Sequence, residues 1–185
     1  MLTSEKRYEE FAYVLDFLAE GKSTVIKGRE GPIIQAIGEE RLTLLELLAV
    51  EEQGFDLGEK LKIGREGRDK IVSVLGKLAY EDLTSEAKSQ LSSVCETIVR
   101  SKEAKYVAYF NELQPLTPRL HGLELIPGIG KTFMKTILDQ REKLPFVSFE
   151  DIQSRTGLRE PAKLIAKRVV EEISGQSHIN IIIKK

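Results

Sequence analysis

Leu125-Ile126-Pro127-Gly128-Ile129-Gly130-Lys131 is the stretch on which the reading of this 185-residue chain turns. Two glycines flank one apolar residue, so the backbone is free to take a sharp turn with positive φ while Ile129 plugs a groove. The pattern after it, with Phe133, Met134, Ile137 and Leu138 on one face, predicts a helix over 131–143. A brief helix is expected over 120–125, which makes the unit helix, tight connector, helix. The free N–H groups around Gly130, Lys131 and Thr132 then converge at the positive end of the helix dipole and suit a phosphate oxygen. Lys131 and Lys135 add charge. The same Pro-Gly-Ile-Gly run also serves simply as a good turn.

Downstream, Ser148 is placed to cap a third helix, with Asp151 in the reciprocal position and Val147 opposite Ile152 as a hydrophobic staple. Thr156-Gly157-Leu158 breaks that helix. Pro161, at a first helical position, opens a fourth, with Ala162, Ile165, Val169 and Ile173 on its buried side. Lys163, Lys167 and Arg168 read as a solvated face, with Lys163 also a candidate contact. The last segment, 178–183, is β-prone and needs a partner, so it is expected to return to the edge of an N-terminal sheet.

Upstream, residues 84–113 carry Thr84 as a cap, Glu86 in the first turn, and Ala87, Leu91, Val94, Ile98, Tyr106, Phe110 and Leu113 near helical spacing. One long amphipathic helix is expected, reaching about 45 Å at the usual rise per residue. Pro115 and Pro118 end it. Before it, apolar stretches at 11–18, 32–37, 42–49, 60–63 and 71–80 are separated by Gly and charge, and predict five strands of a small antiparallel barrel of the OB type. The Leu-rich 42–50 segment passes equally for a helix turn or two.

The expected organisation is therefore α+β: an OB-like antiparallel β-barrel at 9–82, a linking helix at 83–114, a tandem helix-hairpin-helix domain at 115–175 and a C-terminal strand at 176–185. Residues 125–131, with Ile137, Arg141, Pro145-Phe146 and Phe149-Glu150-Asp151-Ile152, resemble the paired helix-hairpin-helix domain of DNA-repair and DNA-uptake proteins. More widely, Phe11-Ala12-Tyr13-Val14-Leu15-Asp16-Phe17-Leu18, Arg68-Asp69-Lys70-Ile71 and Tyr80-Glu81-Asp82-Leu83-Thr84 resemble an uncharacterised archaeal family proposed to bind nucleotides or RNA. The resemblance implies contact with DNA or RNA through the phosphate backbone, little sequence reading and no catalysis. The second connector departs from the pattern, because Gly157-Leu158-Arg159 puts arginine where a glycine belongs. It is either a packing element or a place where Arg159 supplies charge in place of a backbone contact.

Charge bears on where a polyanion would sit. The whole chain carries 28 Lys and Arg against 29 Asp and Glu, a formal −1. Residues 1–82 hold 12 basic against 17 acidic side chains, a net −5, whereas 115–175 hold 10 against 8, a net +2. The second half is the better polyanion face. Two near-repeats in the barrel, Gly28-Arg29-Glu30-Gly31 and Gly64-Arg65-Glu66-Gly67, make Arg29, Arg65, Arg68 and Lys70 secondary loop contacts. The near-neutral total and the altered second connector leave a protein-docking scaffold as the alternative.

Recognisable enzyme motifs mostly fail on spacing, which leaves an enzyme acting on RNA or nucleotides through a site without a known motif as a third class. Gly21-Lys22-Ser23 and Gly130-Lys131-Thr132 end like phosphate-binding P-loops, but the earlier glycine is Asp16 in one and Leu125 in the other. His121 and His178 lack ligands at zinc spacing, and Cys95 falls on the apolar side of its helix, so neither a metal site nor a cofactor nor a Cys–His nucleophile is expected. No apolar run approaches the length of a membrane span, and residues 1–8 lack an apolar leader core. The single cysteine fits a reducing cytoplasm.

Overall fold

Strand β1 (Phe11–Lys22) is the longest element of the N-terminal half and pairs on both sides, with β2 (Glu30–Gly38) and with β4 (Lys60–Lys62). Strand β2 pairs in turn with β3 (Leu44–Ala49), and β3 with β5 (Ile71–Lys77), all antiparallel, giving the order β4-β1-β2-β3-β5. The computed structural model describes residues 8–184. In it the chain divides into two compact units, one ending at Val94 and the other beginning at Cys95.

The first unit owes its curvature to irregular register. Shifts between Val14 and Asp16 and between Leu18 and Gly21 bend β1, as bulges do, and the sheet curls into a half-barrel. Its concave side buries Ala12, Val14, Ile34, Leu47, Leu61 and Ile71, against which Phe17 and Phe55 pack. Within the Leu-rich 42–50 segment residues 44–49 form a strand with both faces buried, the condition under which a strand loses alternation and reads as a continuous apolar run. Gln35 on the opposite face donates to the carbonyl of Asp82 at 3.0 Å and accepts from Thr84 N at 2.9 Å, tying the sheet to the 3-10 turn Tyr80–Asp82 and to the start of α1 (Ser85–Ser101). Thr84 caps α1 as expected, accepting from Ala87 N at 3.0 Å.

The predicted long helix is two helices. Helix α1 stops at Ser101, and α2 (Glu103–Glu112) starts after Lys102, whose φ −113° and ψ 42° leave the helical region. The apolar seam that runs through Ile98, Tyr106 and Phe110 has Lys102 at the intervening helical position, and a long cation there cannot be buried as its neighbours are.

In the second unit a short hairpin of β6 (Pro115–Thr117) and β7 (Leu120–His121) precedes a 3-10 turn, Gly122–Leu125, where a brief helix was expected at 120–125. Then come α3 (Lys131–Lys143), α4 (Phe149–Thr156) and α5 (Pro161–Ile173), at the predicted places. Ser148 accepts from Asp151 N at 2.9 Å and caps α4 as predicted, whereas Asp151 accepts from Val147 N at 3.1 Å, one residue before the cap, so the reciprocal bond of the expected capping box is displaced. The hydrophobic staple does not form, since Val147 is exposed. Arginines close the helix ends: Arg141 donates to the carbonyls of Phe110 and Leu113, and Arg155 to those of Gln140 and Leu144.

The expected C-terminal strand is absent from residues 178–184, and no strand returns to the sheet. Side chains of the helical unit absorb the segment's polar backbone instead. Glu172 accepts from Ile182 N and Ile183 N at 3.0 Å each, and Tyr109 donates to the carbonyl of Ile182. Arg168, expected on a solvated face, is buried at the centre of this arrangement.

Candidate functional site

The connector between the 3-10 turn and α3 is built by short-range rules. Ile126 N donates to Leu123 O and Ile129 N to Ile126 O, each at 3.1 Å, closing two successive tight turns. Gly128 sits at φ +88°, where a side chain is strained, and a Cβ there would lie 3.2 Å from the two methyls of Leu164 on α5. Ile129 is 4 % exposed and fills the groove, as predicted.

Gly130 is the N-cap of α3, with φ −95° and ψ −170°. It is extended rather than left-handed, so its value here is absence of bulk: a Cβ would meet nothing within 4 Å, and the space before the helix is open. No side chain caps the helix and its first turn holds no acidic residue. The leading amides, at Gly130, Lys131 and Thr132, therefore face solvent at the positive end of a 13-residue helix. Lys131, Thr132 and Lys135 are all exposed.

Lys131 has a structural role that spacing alone did not reveal. Its Nζ lies 2.8 Å from Glu124 Oε1 and donates to the carbonyl of Arg119 at 3.0 Å. Glu124 Oε2 in turn accepts from His121 N at 2.8 Å, and His121 Nδ1 accepts from Leu123 N at 3.1 Å. The chain of contacts ties the β6–β7 hairpin to the start of α3. Burial, with the nearby Arg141 cation, holds the His121 imidazole below its usual range; the hydrogen bond from Lys131, then that from the His121 amide, lowers the Glu124 carboxyl. Arg119, exposed at the tip of this hairpin, is a basic residue beside the site that the sequence reading passed over.

The second connector repeats half of the geometry. Gly157 is left-handed at φ 77°, and Leu158, 2 % exposed, occupies the place of Ile129. Helix α5 then begins differently: Glu160 is its N-cap and Pro161 its first residue. Proline has no N–H to offer, and a carboxylate at the cap repels an anion. Arg159 and Lys163 are exposed, so any contact here is made by side-chain charge.

In the half-barrel the four predicted loop cations separate into two kinds. Arg68 Nε donates to the carbonyls of Ile63 and Gly64, its NH1 to that of Val72, and Lys70 pairs with Glu59 at 3.1 Å while lying over the Phe55 ring. These two hold the loop. Arg29 and Arg65 are exposed. Beside Arg29 a cleft of about 510 Å³ also has Glu30 and Glu51 in its wall, and a neighbouring cleft of about 580 Å³ carries Glu20, Glu30, Glu51 and Glu52. That lining disfavours phosphate.

Among the described residues no group of three or more His, Cys, Asp or Glu side chains is placed to hold a metal ion, and no helix is long and apolar enough to cross a membrane. Cys95 is fully buried, and burial pushes its thiol up to about 12.

The same architecture exists elsewhere. The crystal structure of Af1531 from Archaeoglobus fulgidus superimposes with a TM-score of 0.83 at 39% identity, covering 95% of this chain and 100% of that one. The uncharacterized protein MJ0038 of Methanocaldococcus jannaschii is 40% identical over 169 residues, 91% of this chain and 76% of that protein. The match of residues 8–183 to the family described as protein of unknown function (DUF655) embraces both units, and the chain belongs to that family.

Proposed function

We propose that this protein is a non-catalytic, cytoplasmic nucleic-acid-binding protein that grips the phosphate backbone with little sequence specificity. The observation that carries the reading is the N-terminus of α3: uncapped, free of acidic residues, open in front of Gly130 and flanked by the exposed Lys135. Helix starts of this kind bind phosphate through backbone N–H groups, which do not sense base identity. On this reading Gly128 and Ile129 shape the turn, the amides of Gly130, Lys131 and Thr132 meet a phosphate, and Lys135 adds attraction. Gly157, Arg159 and Lys163 form a weaker second contact, and Arg65 an outlying one, whereas Arg29 stands beside acidic clefts that disfavour phosphate. The half-barrel is read as OB-like and the two connectors as tandem helix-hairpin-helix elements.

The test is a fluorescence-anisotropy titration against single- and double-stranded DNA and RNA of one length at two salt concentrations. Binding on the order of micromolar that weakens steeply with salt is expected. The double variant Gly130→Val, Lys135→Glu should abolish most of it without unfolding the chain, because both residues are exposed and a Cβ at Gly130 meets open space. Wild-type protein that binds none of the four polymers at low salt overturns the reading. That outcome directs attention to the alternative, a protein-docking scaffold, which is favoured by Leu144 and Val147, 63% and 77% exposed in the α3–α4 loop.

A further inference from the structure

We infer that Arg168 and Glu172 on α5 are positioning residues: they bind the C-terminal segment into a strap and, through the Leu125 carbonyl, set the turn at 126–130. Arg168 has five N–H donors and all five are used. Nε donates to Glu172 Oε2 at 2.9 Å, NH1 to the carbonyl of Leu125 at 3.2 Å and to Glu171 at 3.5 Å, and NH2 to Ser177 Oγ at 2.7 Å and to the carbonyl of Ile179. The side chain is 5% exposed and that of Glu172 is 0%. Glu172 completes the strap with its other oxygen, which takes Ile182 N and Ile183 N.

The link to the turn is one peptide unit. The C=O of Leu125 and the N–H of Ile126 share a plane, and that plane is held at both ends, by Arg168 on the oxygen and by the Leu123 carbonyl on the nitrogen. Four residues before Arg168, and so on the same face of α5, Leu164 lies where a Cβ on Gly128 would touch it. Helix α5 thus supports the entry to the turn at Leu125 and its apex at Gly128. A guanidinium buried with every donor occupied has no alternative arrangement nearby, so loosening the tail frees NH2 and unbalances the grip on Leu125.

One arm of the test rests on the phosphate reading and one does not. Hydrogen exchange of the full chain is followed at Ile126 and Ile129 in the turn and at Ile182 and Ile183 in the tail, for wild type, Arg168→Gln and Ser177→Ala. In Arg168→Gln all four amides should exchange about tenfold faster or more, the effect of losing a charged hydrogen bond. Ser177→Ala, which removes one bond of five and keeps the fold, should give the same pattern at a smaller amplitude. Tail amides that speed up while the turn is unchanged in Ser177→Ala overturn the inference, and this variant decides the matter alone if Arg168→Gln does not fold. The anisotropy titration of the same variants separates the two readings. A loosened turn with weakened binding supports both, and a loosened turn with unaltered binding keeps the positioning role and overturns the phosphate contact.

Discussion

Lys131 and Glu124 form an ion pair of 2.8 Å across the connector that leads into α3, and the same ammonium holds the carbonyl of Arg119. The charge nearest the helix start is thereby partly neutralised. Glu124→Gln should release it while a side-chain oxygen remains to accept from His121 N. Titration with a single-stranded oligonucleotide at low salt should then show two- to fivefold tighter binding, roughly the worth of one half-exposed charge. Lys131→Glu, by contrast, sets two carboxylates against each other and should lower the melting temperature.

The two glycines of the connector should respond unequally to alanine. Gly128→Ala meets both a left-handed φ and the Leu164 methyls, and a loss of about 1–2 kcal/mol is expected in urea unfolding. Gly130→Ala meets open space at an extended φ and should cost only the loss of a favourable N-cap residue, about 0.5 kcal/mol or less. Equal losses at the two positions would contradict the geometry.

Acid should loosen the hairpin network. His121 Nδ1 must be unprotonated to accept from Leu123 N, and its folded pKa is lowered below the unfolded value. A group of this sign contributes stability that is complete above the unfolded pKa, near 6.5, and is lost as pH falls below it. The Glu124 carboxyl, also lowered, extends the loss below its unfolded pKa of about 4.5. Melting temperatures taken from pH 8 to pH 4 should fall more steeply for wild type than for His121→Asn between pH 7 and 5.

Cys95 should be inert in the folded chain. Full burial and a thiol raised to about 12 leave almost no thiolate at pH 8. Labelling with a thiol reagent should proceed only at the rate of unfolding and become immediate in denaturant. Rapid native labelling would show the core around α1 to be open.

What the residues announced is what short-range physics governs. The bounds of α3, the Ser148 cap, Pro161 at the head of α5, the left-handed Gly128 and the burial of Ile129 all follow from propensity, capping and turn chemistry acting over a few positions, while Gly130, expected to share the positive φ, is extended. The strand at 44–49 was visible as an apolar run, though its type was not, because continuous burial erases the alternation that marks a strand.

Charged residues were least legible. Lys131 pairs with Glu124, Arg68 with three carbonyls and Lys70 with Glu59, and each partner except Gly64 and Val72 stands at least five positions away. A local pattern describes a lysine as exposed and cationic; it does not say which carboxylate or carbonyl the fold will bring to it.

The sequence by itself determined the class, α+β, the five strands that precede the helices and the turn that opens α3, since each is marked by residues within a few positions of one another. Only the tertiary structure decided that the helix breaks at Lys102, that the tail lies along the helical unit, and that Arg168 is an anchor with five partners. The reason is range. Arg168 meets Leu125 from 43 positions away, and Tyr109 reaches Ile182 across 73, separations at which only the packed core determines what is near.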